Sequence, residues 1–397
     1  MTSTMLPIPY KSGYPHAMLI HPSSGKMPSV AVLSTFPPTQ CGLATFAAAL
    51  AGGLQEVGVQ AIGVIDVAES GTGSSDPRVV AHLTPHSVKD RIHAVRQINT
   101  FDYLLIQHEF GIFGGPDGEE VLTLLDDVYV PVIVTLHTVP LSPSEGQRRV
   151  LEALAQRADA LITMSYAARE RFINGYDIDA EKVVTIPHGA TVPPFVPISP
   201  QRPVSLLTWG LLGPGKGVEW VIDALAMTPE LRGEVMYTIA GQTHPKVLLR
   251  EGEKYRNMLK RRAELLGVSE MLRFDDEYRS VPSLMELIQQ SHCVVLPYDA
   301  HDQVTSGVLV DAVVAGRPVI ATEFPHAVEL LSQGVGITVP HKDSVALAHA
   351  IRKVVTEPHT LSSMMNATIP IAEEHSWVSV ASRYASLAQE ISMKNLV

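Results

Sequence analysis

Short apolar runs alternate with amphipathic segments along most of the chain. The first run, SVAVLST at residues 29–35, predicts a buried strand. In the segment after it, the apolar residues fall on one face of a helix: Leu43, Phe46, Ala47, Leu50 and Leu54. The same order, a predicted strand followed by a predicted helix, recurs with the strands YLLIQ, PVIVTLH and ALITMS, and later with VSLLTWG, VMYTIAG, CVVLPY and PVIAT. This alternation is typical of parallel sheets that are covered by helices.

A proline-rich break divides this pattern into two halves of similar size. Six prolines fall between Pro187 and Pro203, and no periodicity survives there. We therefore predict an α/β protein with two doubly wound, Rossmann-like domains that face each other across a cleft. The predicted boundaries are an irregular extension at 1–27, domains at 28–190 and 204–375, a linker at 191–203 and a final helix at 376–397.

Composition and charge narrow the function class. The 397 residues are 46% hydrophobic and carry a net charge of −11, which argues against a nucleic-acid-binding protein. Cys41 and Cys293 stand far apart with no metal-ligand spacing, and no metal site is predicted. The first residues lack the apolar core of a signal peptide, and no stretch is long enough to span a bilayer. We expect a cytoplasmic protein and leave peripheral membrane contact open.

Polar residues end several apolar strands of the first half. Gly42 lies between a strand and a helix, where exposed amides attract anions, although an ordinary turn explains it equally well. His108 and Glu109 follow YLLIQ and open a glycine-rich loop, for which the alternative is a capped surface loop. His137 closes PVIVTLH, and a neutral imidazole there could bond a sugar hydroxyl. His188, beside the linker, is interpreted as a turn residue.

The segment TWGLLGPGKGVEW resembles a nucleotide-triphosphate loop without being one. Gly210, Gly215 and Lys216 fit G-x-x-x-x-G-K, but Gly217 stands where a Mg²⁺-binding hydroxyl is required. A P-loop enzyme is therefore disfavoured. Lys216 still follows a strand and precedes a helix, which suits a diphosphate held by an ammonium and by amides.

A second candidate loop follows the strand CVVLPY. Thr305 or Ser306 is expected to cap the next helix, and Gly307 leaves room for a ligand at its start. Asp311 stands in an otherwise apolar helix, where its carboxylate could bind two vicinal hydroxyls of a ribose. The alternative is a solvent-facing aspartate.

Together these segments resemble the retaining GT-B glycosyltransferases marked by an E-x7-E motif, the glycosyltransferase family 4 type. The resemblance extends from about Ser29 to about Ile391 and is carried by four pieces: IQHEFGIFGG, GLLGPGKGVE, AGQTHP with EGEKYR, and LPYDAHDQVTSGVLVDAVVAGRPVIAT. It implies transfer of a hexosyl group, with retention, from a nucleotide-diphosphate sugar to an acceptor hydroxyl of a glycan, lipid or small molecule. It implies no cofactor. The donor would bind the second domain and the acceptor the first, and the last helix would cross back to the first domain.

The resemblance also assigns roles to individual residues. His137, Lys216 and Glu109 would be catalytic, with Lys216 neutralising the departing diphosphate and His137 touching the donor sugar. The substrate-binding set would be Gly42, His108, Gly210, Gly241, Gln303, Thr305, Ser306, Gly307 and Asp311. The implied mechanism requires no metal ion.

The sequence departs from the family pattern at three positions. Gln303 and Asp311 stand where the motif has glutamates, and Leu211 replaces a frequent arginine, for which Arg279 is a candidate substitute. Two alternatives stay open. One is a sugar phosphorylase or nucleotide-sugar epimerase on the same fold, and the other, suggested by Gln303 and Leu211, is a nucleotide-sugar binding protein with little turnover. The donor sugar, its base and the acceptor stay undetermined at this stage.

Overall fold

The computed structural model describes residues 27–197, 201–277 and 279–394. Most of the predicted extension at 1–27, and the last residues of the predicted final helix, therefore lie outside the described residues. Within these ranges, strands and helices alternate as the sequence pattern predicted.

The strands form two separate parallel sheets. The first sheet has seven strands in the order β3-β2-β1-β4-β5-β6-β7. They are β1 (Val30–Ser34), β2 (Ile62–Val67), β3 (Val79–Leu83), β4 (Tyr103–His108), β5 (Val132–Leu136), β6 (Ala160–Thr163) and β7 (Val183–Thr185). The second has six strands in the order β10-β9-β8-β11-β12-β13. They are β8 (Val204–Trp209), β9 (Val235–Ala240), β10 (Leu272–Asp275), β11 (Cys293–Leu296), β12 (Val319–Thr322) and β13 (Gly336–Val339).

Helices connect the strands and cover both faces of each sheet. In the first half they are α1 (Gly42–Glu56), α2 (Val88–Ile98), α3 (Glu120–Leu125), α4 (Glu145–Arg157) and α5 (Tyr166–Gly175). In the second half they are α6 (Val218–Ala226), α7 (Pro245–Glu251), α8 (Lys254–Leu265), α9 (Val281–Gln290), α10 (Gly307–Val314), α11 (Pro325–Leu331), α12 (Ser344–Thr356), α13 (Pro358–Glu374) and α14 (Trp377–Lys394). Central strands such as β1 and β5 are buried along their whole length, because helices lie on both sides of them.

The last helix belongs to the core of the first domain. Val380, Ala381 and Tyr384 of α14 are buried in one cluster with Phe46 and Leu50 of α1. The Tyr384 hydroxyl also lies 3.1 Å from Thr135 Oγ1 at the centre of the first sheet. The chain therefore returns to its first domain after completing the second.

Each sheet has one point where the strand order reverses, and there the loops after two neighbouring strands diverge. In the first sheet this point lies between β1 and β4, and in the second it lies between β8 and β11. Ligands of doubly wound sheets bind beyond the carboxyl ends of the strands at such points. The loops that contain Gly42, Glu109, Lys216 and Thr305 follow these four strands.

Candidate functional site

A cavity of about 650 Å³ lies between the two domains at these strand ends. Residues of both halves line it. The first half contributes, among others, Cys41, Gly42, Phe46, Glu109, His137 and His188, and the second contributes Leu284, Met285, Ile288, Thr305, Gly307, Val308 and Asp311. Six predicted site residues that are far apart in sequence therefore share one cavity: Gly42, Glu109, His137, Thr305, Gly307 and Asp311.

The wall from the first domain carries Gly42 at the start of α1. Cys41 caps this helix through its Sγ, and no atom lies within 4 Å of the place where a Cβ of residue 42 would stand. Apart from the Ala44 amide, which donates to Cys41 Sγ at 3.4 Å, the start of this helix is therefore open to an anionic group.

Two polar side chains of the same wall are held by neighbouring strand ends. His137 Nε2 donates to Gln107 Oε1 at 2.8 Å, and its ring packs edge-on against Phe46. Burial lowers the pKa of His137 well below its ordinary value, with smaller contributions from His188 and His108, so the ring is neutral at pH 7. Glu109 accepts a hydrogen bond from Thr138 Oγ1 at 2.5 Å, which fixes its carboxylate.

The wall from the second domain is built by the start of α10. Ser306 is the residue that caps this helix, since its Oγ accepts from the Leu309 amide at 3.3 Å. The Thr305 hydroxyl is buried and has no hydrogen-bond partner among the described residues. A Cβ on Gly307 would meet the His188 ring at 3.2 Å, so the absence of a side chain lets the two domains approach here.

Asp311 lies one turn further along α10. The described residues give its carboxylate no hydrogen bond or ion pair, and the apolar residues Leu284, Met285 and Ile288 line the same cavity. Burial raises the pKa of Asp311 from 3.8 to about 7. A carboxyl group held in this way gains most from a ligand that donates hydrogen bonds to it.

Lys216 lies in the loop after β8, which flanks the same reversal of strand order as the Thr305 loop, but it does not line this cavity. Its Nζ stands 4.4 Å from the centre of the Tyr298 ring, and burial lowers its pKa. Its ammonium forms no ion pair within the described ranges, so its positive charge is available to an anion.

The loop around Lys216 explains why a hydroxyl residue does not follow the lysine. Gly217 has a φ of +68°, and a Cβ at this position would lie 1.7 Å from the Pro297 carbonyl oxygen. Only glycine fits such a close approach of backbone to backbone.

Two family models match the chain in succession. Residues 41–192 match Glycosyltransferase Family 4, and residues 195–370 match Glycosyl transferases group 1. The chain belongs to the GT-B glycosyltransferases of the family 4 type. The prediction of a transferase is thereby confirmed, as is that of two Rossmann-like domains.

Individual relatives agree with this assignment. This glycosyltransferase is 25% identical over 260 residues to a D-inositol 3-phosphate glycosyltransferase from Geodermatophilus obscurus. The aligned region covers 59% of this chain and 56% of the relative. It is 24% identical over 323 residues to a protein of the same name from Kribbella flavida, covering 72% of this chain and 70% of the relative. The match thus spans little more than half of the first relative's length.

Solved structures share the fold at low sequence identity. Anabaena HepE, crystallised with UDP, has a TM-score of 0.73 at 18% identity, covering 91% of this chain and 100% of that one. Sucrose-phosphate synthase from Thermosynechococcus elongatus has a TM-score of 0.70 at 15% identity, covering 92% and 100%. At this level of identity the likeness establishes the fold alone.

Other predicted substrate-binding residues of the glycosyltransferase lie away from the cavity. His108 is fully buried against Phe110 and Phe113, and burial lowers its pKa to about 3. Its side chain has no exposed surface in this arrangement of the strand end, and its predicted binding of substrate stays a prediction. The sequence suggested otherwise because a polar residue at a strand end usually marks the sheet edge.

The two predicted glycines beside Lys216 differ in their surroundings. Space is open beside Gly210, which has a φ of +113°, and a ligand could approach its backbone. Gly241 instead packs against Gly210, because a Cβ there would lie 2.1 Å from the Gly210 carbonyl oxygen. Gly241 therefore supports the loop from behind.

Tertiary contacts occupy three groups that the sequence analysis treated as available. The Ser306 amide donates to His326 Nδ1 at 2.8 Å, so it is not free to bind a phosphate. The Gln303 side chain bonds its own loop, with Nε2 donating to the Thr305 carbonyl at 3.1 Å. Arg279 pairs with Asp275 at 2.5 Å and Glu277 at 3.1 Å, so it does not replace the cation missing at Leu211.

Sequence reasoning missed the contribution of three residues. His188, interpreted as a turn residue, lines the cavity, where burial lowers its pKa to about 4. Trp377 lines the same cavity and packs on Phe46 with ring centres 5.0 Å apart. His326 orients the start of α10. None of them carries a local motif, and only the fold brings them to the site.

Within the described ranges the protein has neither a metal-ligand cluster nor a membrane-spanning helix. No group of three or more histidines, cysteines and acidic residues there is arranged to hold a metal ion. No helix there combines the length and apolar character that crossing a bilayer demands.

Proposed function

We propose that the protein transfers a hexosyl group from a nucleoside-diphosphate sugar to an acceptor hydroxyl, with retention of anomeric configuration. The observation that carries this proposal is the shared cavity, in which Gly42, Glu109 and His137 of one domain face Thr305, Gly307 and Asp311 of the other. A two-substrate transfer requires such a site, because donor and acceptor must meet away from water.

The charges of the site suit a departing diphosphate. Lys216 supplies an unpaired ammonium, and the starts of α1 and α10 supply the positive ends of two helices. Asp311 would bind the ribose hydroxyls, since its carboxyl has no partner of its own. Fixed donors and cations that face the leaving group stabilise the charge that develops in the transition state.

The proposed retaining mechanism does not use a pair of enzyme carboxylates. The leaving phosphate oxygen takes the proton of the acceptor hydroxyl, while the new bond forms on the face that the phosphate leaves. Neutral His137 carries an unprotonated Nδ1 that can accept a hydrogen bond from a sugar hydroxyl. No metal ion is needed in this scheme, because Lys216 and the helix amides carry the counter-charge.

UDP-sugars are the donors to test first. Anabaena HepE was crystallised with UDP and with UDP-glucose. The curated relatives are named for an inositol phosphate acceptor, which makes phosphorylated polyols reasonable first acceptors for this chain as well. GDP-mannose is the comparison donor.

A thermal-shift screen of nucleosides, nucleoside diphosphates and nucleotide sugars tests the donor site. A ligand that binds only the folded protein stabilises it and so raises its melting temperature. The stabilisation is about 2.7 kcal/mol when the free ligand concentration is a hundred times the Kd. We expect UDP to raise the melting temperature and uridine to do so far less. A screen in which no nucleoside diphosphate has any effect would contradict the proposal.

Lys216→Ala is the matched variant for the phosphate contact. It should reduce the shift caused by UDP towards that of uridine, and lower transfer by roughly a hundredfold, as expected for one transition-state charge contact. Lys246→Ala serves as a control, since Lys246 lies in α7, outside the loops that follow β8 and β11. Equal effects of the two variants would remove Lys216 from the phosphate site.

A second candidate function is nucleotide-sugar binding with little turnover. It is favoured by the self-bonded Gln303 side chain and by the lack of a cation at Leu211. It predicts a strong thermal shift with UDP-glucose and no product across a panel of acceptors. A phosphorylase would instead give sugar phosphate when inorganic phosphate replaces the acceptor, and an epimerase would give an epimerised donor with neither phosphate nor acceptor present.

A further inference from the structure

A carboxylate of the second domain accepts hydrogen bonds at the start of a helix of the first domain, and this contact joins the two domains. Glu329 of α11 accepts hydrogen bonds from the Tyr166 amide at 2.9 Å and the Ala167 amide at 2.8 Å. These are the first two amides of α5, which have no partner within the helix itself. Burial raises the pKa of Glu329 while the two amides lower it, so this contact compensates the burial of the charge.

A second set of contacts runs in the opposite direction and holds the backbone of the loop before α10. Arg171 Nη1 of α5 donates to the Asp302 carbonyl at 2.6 Å and to the Val139 carbonyl at 3.0 Å. Ser165 Oγ donates to the Val304 carbonyl at 2.5 Å. The Val304 side chain is 5% exposed and packs in the apolar core of the first domain.

The held segment leads directly into the candidate donor-binding residues. Val304 precedes Thr305, which lines the cavity, and Gly307 follows two residues later. A loop whose backbone is anchored by the first domain takes this shape only while the two domains are in contact.

We propose that Glu329, Arg171 and Ser165 form an interdomain latch that positions the loop at 302–307 for the donor. They are positioning residues, which act through Thr305 and Gly307 and do not touch the substrate. The first domain thereby sets how well the second domain holds its nucleotide sugar. This inference rests on the proposed function for its consequence, but the latch itself can be measured without any ligand.

Hydrogen exchange of the Tyr166 and Ala167 amides reports directly on the latch. Amides at a helix start exchange fast unless a partner outside the helix protects them. In the full-length protein without ligand, Arg171→Ala should speed the exchange of both amides about tenfold or more, because hydrogen bonds from a charged donor are lost. Arg171 does not bond these amides itself, so the effect would show that the two sets of contacts open together.

Arg169→Ala is the matched control for this experiment. Arg169 lies on the same helix, but its contacts, to the Val183 carbonyl and to Glu170, stay within the first domain. It should leave the exchange of the two amides unchanged. Equal exchange in Arg171→Ala and the wild type, or an equal increase in both variants, would overturn the latch.

UDP binding and turnover then test the consequence for the donor. Arg171→Ala and Glu329→Gln should each raise the Kd of UDP and the KM of the donor about tenfold, with a smaller change in kcat. Arg171→Lys, which can still donate to one carbonyl, should restore part of the affinity, whereas a purely structural role would give no such recovery. Unchanged UDP affinity in both variants would overturn the positioning role. If the wild type itself failed to bind UDP, that result would count against the proposed donor, and the hydrogen-exchange result would decide whether the latch exists.

Discussion

At the scale of a single residue, Asp311 combines a proposed role in binding with a cost in stability. Burial raises its pKa from 3.8 to about 7. Between about pH 4 and pH 7 the carboxyl group is therefore protonated in the folded protein and ionised in the unfolded chain. The contribution of Asp311 to stability therefore falls as the pH rises from about 4 to about 7. Above that range the folded state carries an unpaired buried carboxylate.

Asp311→Asn should remove this penalty. We expect the variant and the wild type to be equally stable at about pH 4. At about pH 8 the variant should be more stable by at least about 1 kcal/mol, since a change of one in pKa corresponds to about 1.4 kcal/mol. The same variant should bind UDP more weakly, because an amide accepts fewer hydrogen bonds from the ribose. Urea denaturation at the two pH values measures the effect on stability. The buried histidines also make stability depend on pH, but they do so equally in the variant and the wild type and so cancel in the difference. A variant no more stable than the wild type at pH 8 would contradict the assigned cause.

At the scale of an element, the packing of α14 on α1 depends on one of two adjacent glycines. A Cβ on Gly53 would lie 2.8 Å from the Trp377 carbonyl oxygen and 3.0 Å from the Ala381 Cβ, whereas nothing lies within 4 Å of a Cβ on Gly52. Both glycines are inside α1, where alanine is otherwise the better helix former.

The two alanine substitutions should therefore have opposite signs. Gly52→Ala should raise the free energy of unfolding by about 0.5–1 kcal/mol, and Gly53→Ala should lower it by roughly 1–3 kcal/mol through overpacking. Chemical denaturation of the two variants, followed by circular dichroism, gives the comparison. Stabilisation by both would mean that α14 can move away from α1 at little cost.

At the scale of the whole molecule, the linker between the domains is fixed by a buried arginine. Arg317 is fully buried and has no carboxylate partner among the described residues; its guanidinium donates to the carbonyls of Ala315, Ser291 and Val196. Burial lowers its pKa to about 10, so it is still charged at pH 7. The Val196 contact attaches the linker to the second domain.

Arg317→Met should destabilise the protein by about 3 kcal/mol, because three buried carbonyls lose a charged donor. Arg202→Met, at the other end of the linker, should cost about 1 kcal/mol, since its ion pair with Glu234 is exposed at the surface and it donates to a single carbonyl, that of Val355, at 2.9 Å. Urea midpoints of the two variants measure the difference. Equal midpoints would show that the linker needs no anchor.

The apolar pattern of the sequence determined the alternation of strands and helices, because burial on both faces of a parallel sheet leaves a local signature at each strand. The loops at the strand ends were visible for the same reason, and six predicted residues meet in the cavity. Local pattern also narrowed the cap of α10 to Thr305 or Ser306, since a cap is a contact between near neighbours.

Only the tertiary structure decided which of these groups are free. Whether the Ser306 amide, the Gln303 side chain and Arg279 can reach a ligand depends on partners elsewhere in the fold, and all three are occupied. The burial of His108 and the approach of His188 to Gly307 depend likewise on how strands and domains pack. Periodicity reports contacts within an element, whereas the availability of a polar group is set by contacts between elements, which no short stretch of sequence encodes.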